Sequence, residues 1–257
     1  MIATDELKKD LVIGSLKEGK RIDGRGFEDY RPIRIEKGVI SSAEASARVY
    51  LGNTQVLVGV KVDLAIPFKD RQDEGTLTVS ADLLPLASPT FEVGPPRADA
   101  IELARVVDRG IRSSEAIDLK SLWIEEGKVW GVYVDTYVLN HDGNLIDAAG
   151  LAATAALTGL KIPKYEDEKA VRDKDSYKPF KLGALPTYTT FGKIGNQIIL
   201  DANYAEEVAM DARLTIATVE DSVCAIQKAG KGSFTREELM TAIDASFRKG
   251  QELINYL

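Results

Sequence analysis

One cysteine, one histidine and no long apolar run are the most informative shortages in this sequence of 257 residues. With Cys224 alone, neither an internal disulfide nor a multi-cysteine metal site can form. The single His141 rules out zinc sites built from several histidines, and no metal or cofactor is expected. No apolar stretch approaches the ~20 residues of a membrane helix, and no secretory leader is seen, so no membrane partner is expected and a cytoplasmic location is. Basic charge is short too: 33 Lys and Arg against 40 Asp and Glu give a net charge of −7. Such a chain does not coat polyanions indiscriminately. Any polyanion site must be a local gathering of cations. What is present otherwise, 44% hydrophobic and 28% charged residues, describes a globular protein with a large core and one or two domains.

The clearest gathering of cations follows Gly94-Pro-Pro. At roughly 100° per residue, residues from Ala98 to Arg112 place Ala100, Leu103, Ala104, Val107 and Ile111 on one side of a helix. Arg105, Arg109 and Arg112 meet on nearly the opposite side, at spacings of four and three. Each guanidinium offers a planar fork of donors suited to phosphate. The competing reading is a solvated face on which Glu102, Asp108 and Glu115 pair with the arginines. A second basic cluster, Gly19-Lys-Arg-Ile-Asp-Gly-Arg-Gly26, lacks the P-loop spacing and reads as a loop leading into the first strand.

Ahead of that loop, residues 3–18 carry a helical pattern with Asp5 as a candidate cap. From Tyr30 the signals turn to β. Residues 32–36 and 43–51 alternate, as do Val56, Val58, Val60 and Val62, with Gly52-Asn53 as a two-residue hairpin turn. Further strands are expected at 76–84, 122–124 and 129–139, the last with Trp130, Val132, Val134, Thr136 and Val138 on one face. The Asp142-Gly143 turn then puts His141 at the surface. Residues 147–160 read as a helix of small side chains suited to close packing. The charged run 161–181 has no apolar period and reads as a linker between an N-terminal domain, residues 1–160, and a C-terminal domain, residues 182–257.

The second half opens with strands at 187–194 and 197–201 about a Gly195-Asn196 turn. An acidic segment follows, holding Asp201, Glu206, Glu207 and Asp211, and reads as a solvated loop. Strands are expected over 214–218 and 219–228. Thr235 with Glu238 forms a capping-box pattern before a final helix with Leu239, Ile243 and Phe247 on one face. Strands first and a helix later in each half describe an α+β protein of two related units.

Several segments resemble the RNase PH family: Gly19-Lys-Arg-Ile-Asp-Gly-Arg25, Gly52-Asn-Thr-Gln-Val56, Ile101-Glu-Leu-Ala-Arg-Val-Val-Asp-Arg109, Asp147-Ala-Ala-Gly150 and the stretch around Glu206-Glu207. Gly94-Pro-Pro and Ile101–Arg112 most resemble the non-catalytic RNase PH-like subunit of the archaeal exosome ring. The resemblance implies a two-part β/α fold whose first part is like domain 2 of ribosomal protein S5. It implies a homologous catalytic partner, three such heterodimers closing a hexameric ring, and RNA-binding cap subunits on it. It implies the chemistry of phosphorolysis, in which phosphate attacks the last linkage at an RNA 3′ end and releases a nucleoside diphosphate.

Active members of that family bind phosphate through Ser or Thr followed by Arg, after an Asp-Gly-Gly-like turn. The matching positions here are Gly150 and Leu151. Active members also carry two aspartates six residues apart, which fall here on Glu207 and Arg213, and an arginine is neither a general base nor a metal ligand. No catalytic residue is therefore expected in this chain. The resemblance instead assigns Arg105 and Arg109 to single-stranded RNA, with Arg97 and Arg112 as second-rank contacts. Two rival readings stay open. In one, the chain is itself phosphorolytic through Glu207, Asp211 and the cluster Arg97, Arg105 and Arg109. In the other, it is an S5-like RNA-binding module with no enzyme attached.

Overall fold

The computed structural model describes the backbone of residues 3–257 and side chains from Glu6 onward. It opens with helix α1 (Ala3–Lys17), which already runs at Ala3, so Asp5 lies inside the helix and does not cap it. The alternating runs become β1 (Ile33–Lys37), β2 (Ala45–Leu51), β3 (Thr54–Ala65), β4 (Thr76–Leu83), β5 (Trp123–Glu125) and β6 (Lys128–Asn140). They form one sheet in the order β1-β2-β3-β6-β4, with β5 also on β6. Val56, Val58, Val60 and Val62 of β3 and Val132, Val134 and Val138 of β6 are fully buried. Each valine contributes about 1.5–3 kcal/mol of burial, and a one-residue slip would turn them all to water. That is why the register is fixed.

β4 runs parallel to β6, so the chain between them must cross over a face of the sheet. Helix α2 (Ala98–Ser113) makes that crossover. The arginine helix is therefore held at a set position by the sheet's topology. Helix α3 (Leu145–Leu157) follows β6.

The charged run 161–181 is not an open linker. It holds β7 (Lys161–Ile162), β8 (Lys164–Glu166), β9 (Lys169–Val171) and β10 (Lys178–Pro179), with β8 paired to β9 and β7 to β10. It is strapped to the first sheet: Arg172 donates to the Val62 carbonyl at 3.0 Å and pairs with Asp63 at 2.7 Å. Strands of two or three residues are too short to print a period in the sequence.

A second, antiparallel sheet contains β11 (Thr187–Ile194), β12 (Gln197–Leu200), β13 (Ala212–Val219) and β14 (Ser222–Gly230) in the order β12-β11-β13-β14. Between β12 and β13 the chain forms α4 (Tyr204–Ala209), against which α1 packs. Helix α5 (Arg236–Ile254) starts with the expected capping box, Thr235 accepting from the Glu238 amide. Its deepest contact is made by Ala242, Ala245, Ser246, Gly250 and Leu253, with Leu239 and Ile243 flanking it and Phe247 only partly buried. The expected apolar stripe is thus displaced toward smaller residues, because α5 lies close on β11, where Ser246 accepts from Thr189 at 2.7 Å.

Helices α2 and α3 fill the layer between the two sheets. α3 touches β2, β3 and β11, while α2 touches β4 and β14. Tyr188 of β11 is inserted between the helices, its hydroxyl donating to the Val107 carbonyl at 2.7 Å. The ring fits because α2 and α3 each present a glycine. A Cβ at Gly110 would stand 2.1 Å from the Tyr188 hydroxyl oxygen, and one at Gly150 would stand 2.2 Å from Cδ2. The small-residue helix is thus tightly packed on its neighbours.

Candidate functional site

Helix α2 buries Ala100, Leu103, Val106, Val107, Gly110 and Ile111. Arg105, Arg109 and Arg112 are exposed on its other side, and Arg97, just ahead of the helix, is exposed too. The four differ in what holds them. Arg97 pairs with Glu92. Arg112 donates to Asp108 at 2.7 and 3.2 Å and to the Leu77 carbonyl at 3.0 Å. The Arg112 partner is therefore Asp108 and not Glu115. Arg105 and Arg109 form no hydrogen bond or ion pair among the described residues. Together with Ala98, Ile101, Glu102, Val106 and Gln227 they line a cavity of about 410 Å3. The solvated-face reading needs Glu102 for Arg105, but Glu102 accepts from Arg213 of β13 at 2.9 Å and from Gln227 of β14 at 3.3 Å.

A second cavity, of about 230 Å3, is also lined by Glu102. Asp99, Glu102, His141, Glu207 and Arg213 supply its charged and polar wall, with Phe91 among its apolar residues. It brings together the positions that the family resemblance marks, Glu207 and Arg213, and it opposes an anion. Three carboxylates face one guanidinium, which is already committed to Glu102. Burial pushes the Glu207 carboxyl above its ordinary range, against the Asn144 amide and Arg213, which act to lower it. His141 is not the surface residue expected. Its ring stacks on Phe91 at 5.3 Å and meets the Tyr204 edge at 5.4 Å, and burial lowers its pKa, keeping it neutral at pH 7. Asp211, the alternative carboxylate of the self-catalytic reading, lies elsewhere. It is exposed and accepts the Gly195 amide at 2.8 Å.

The two positions that the resemblance matches to phosphate binding, Gly150 and Leu151, are closed as well as uncharged. α3 begins at Leu145, earlier than expected, so Gly150 and Leu151 are buried in its second turn. The Asn144 amide at the helix entry is taken by Glu207 Oε1 at 2.8 Å. Restoring the pair as Gly150→Ser with Leu151→Arg should therefore destabilise the chain by at least about 1–3 kcal/mol through overpacking on Tyr188, with no gain of phosphorolysis. Urea midpoints and nucleoside diphosphate release would check both parts.

The acidic segment is the largest departure from expectation. It is not a solvated loop. Glu206 is fully buried in the capping box of α4 and receives Arg21 at 2.8 and 2.6 Å. Asp201 is buried and receives Arg31, Arg25 and Asn144; burial acts to raise its pKa, but the Arg31 bonds hold it below the ordinary value. The basic loop at residues 19–26 thus supplies counter-charges for a segment far along the chain. Among the described residues no three His, Cys, Asp or Glu side chains gather as metal ligands.

Asp147, at the start of α3, accepts from Thr190 N and Oγ1, Asn144 Nδ2 and Tyr30 Oη. Burial pushes its pKa up to about 7. The folded chain then binds this proton more tightly than the unfolded chain, so its contribution to stability is present at about pH 4 and is lost as pH rises toward 7. Asp201, shifted downward, acts only below that window, while His141 has the opposite slope near its ordinary pKa. The stability difference between the wild-type chain and Asp147→Asn should accordingly change by on the order of a few kcal/mol between pH 4.5 and 7.5, a change that denaturation at several pH values would measure.

Fold and site together define an RNase PH-like protein. A model of the 3′ exoribonuclease family, domain 1, matches residues 29–163, and domain 2 of the same family matches residues 184–249. The chain belongs to this family. It is 54% identical to exosome complex component Rrp42 of Thermococcus gammatolerans over 252 residues, covering 96% of this chain and 92% of the relative. It is 47% identical to exosome complex component Rrp42 of Methanopyrus kandleri over 96% of this chain and 94% of that one. A solved structure described as the Archaeoglobus fulgidus exosome with RNA bound to the active site contains a chain that superposes with a TM-score of 0.93 at 43% identity, with 99% of each chain covered. No helix among the described residues is long and apolar enough to cross a membrane.

Proposed function

We propose that this chain is a non-catalytic subunit of an exosome, a 3′-to-5′ phosphorolytic exoribonuclease complex, acting in the cytoplasm. It pairs with a homologous catalytic subunit, and three such pairs close a hexameric ring that carries RNA-binding caps. Its role is to hold single-stranded RNA for the chemistry of its neighbour, through Arg105 and Arg109 first and Arg97 and Arg112 second. Contacts of arginine with phosphate position a strand without reading its sequence, which suits degradation of RNA of any sequence.

One observation carries this reading. Tyr188 closes the place of Gly150 and carboxylates line the cavity that holds Glu207 and Arg213, while among the described residues Arg105 and Arg109 have no hydrogen-bond or ion-pair partner. The reading is supported by the names and the fold of the relatives. Its test is Glu207→Gln in the assembled complex. This change removes the last carboxylate at a family catalytic position while keeping the acceptor for the Asn144 amide. Phosphate-dependent degradation should proceed at the wild-type rate. A loss of 100-fold or more would assign the chemistry to this chain.

A further inference from the structure

On an isolated helix, Glu102 and Arg105 are neighbours at a spacing of three and would pair. Both line the arginine cavity, and the spacing of three sets them side by side on one helix face. The carboxylate is nevertheless taken by other donors. It is held by Arg213 Nη2 at 2.9 Å on Oε2 and by Gln227 Nε2 at 3.3 Å on Oε1, so each oxygen has a donor from the second sheet. The Arg213 and Glu102 side chains are 25% and 29% exposed, and the contact is therefore partly shielded from solvent screening. Among the described residues, Arg105 and Arg109 are left with no acid as a partner.

We infer that Arg213 is a positioning residue for RNA binding: by sequestering Glu102, it keeps Arg105 free to meet a phosphate. The inference rests on the proposed RNA-holding role of Arg105 and Arg109. It gives a use to the residue that stands where active family members carry a carboxylate. At this place a cation does two things at once. It removes a general base from the neighbouring cavity, and it withdraws a competing carboxylate from the arginine face. Gln227 assists by occupying the second oxygen. Without Arg213, Glu102 would be released toward Arg105. The guanidinium would then be neutralised and would have to give up this carboxylate before meeting a phosphate.

The experiment measures binding of a single-stranded RNA by the assembled complex in phosphate-free buffer, where phosphorolysis cannot proceed, as a function of salt. Arg213→Gln should weaken binding on the order of two- to five-fold, the size of one exposed ion pair, and lower the salt slope by about 0.7, one phosphate contact on a single strand. Arg213→Lys should stay near wild type. Adding Glu102→Gln to Arg213→Gln should restore both affinity and slope, which a merely structural role for Arg213 would not do. Thermal unfolding of each variant reports separately on folding, and the Glu102→Gln single variant should bind RNA no more weakly than wild type, because without the carboxylate nothing competes for Arg105. If Arg213→Gln binds as wild type does, or if Glu102→Gln fails to rescue it, the inference falls. Either result leaves the broader reading standing as long as Arg105→Glu with Arg109→Glu still weakens binding; if that double variant has no effect, the reading itself falls.

Discussion

Reversing both free charges, Arg105→Glu with Arg109→Glu, should lower RNA affinity of the assembled complex by about 100-fold at moderate salt. A hydrogen bond to a charged group contributes about 1.5–3 kcal/mol, and two such contacts at the low end amount to a factor of this size. The logarithmic salt slope should fall by about 1.4, since each phosphate contact on a single strand carries about 0.7. Degradation at limiting RNA should slow in parallel, and assembly should be intact, because both side chains are exposed and form no bond among the described residues. The comparison with the other arginines sharpens the prediction. Arg112→Ala first breaks contacts to Asp108 and the Leu77 carbonyl, and Arg97→Ala first frees Glu92, so each should cost less RNA affinity than Arg105→Ala or Arg109→Ala. Equal losses at all four positions would point to a diffuse field in place of two contacts.

The second large effect concerns stability. Arg21 and Glu206 are both fully buried, joined by two hydrogen bonds, with the remaining guanidinium donors spent on the Gly26, Leu200 and Asp201 carbonyls. Removing one member strands a charge in a dry site, and Arg21→Met should cost about 3–5 kcal/mol. Glu206→Gln should also destabilise, since it leaves the buried Arg21 guanidinium without its counter-charge. The contrast is Arg34–Glu36, an exposed pair on β1, whose removal should cost at most about 1 kcal/mol. Urea denaturation of the three variants measures this ranking, and a loss at Arg21 no larger than at Arg34 would show that the buried network contributes little.

These residues also mark where the sequence stops being readable. The valine alternation of β3 and β6, the Gly52-Asn53 hairpin and the Thr235–Glu238 capping box are local patterns, and local patterns specify local structure. The Arg105–Arg109 stripe was legible for the same reason, since it needs only the angle per residue. Its lack of partners was not legible. The acid that would have neutralised it is drawn off by Arg213, 111 positions along the chain. The acidic segment failed likewise: charged residues are normally solvated, and nothing near Glu206 announces that Arg21, 185 positions away, meets it in the interior. His141 leads into a turn in sequence but is packed by Phe91 and Tyr204, which come from separate parts of the chain. Gly150 could be read as a lost hydroxyl, while the tyrosine that closes its place is a fact of β11.

Phosphate-dependent release of nucleoside diphosphate from single-stranded RNA by the purified chain, without any homologous partner, decides whether this chain carries chemistry of its own. No release above the phosphate-free control is expected, with activity appearing only when the catalytic subunit is added. Robust release by the chain alone would contradict the non-catalytic role.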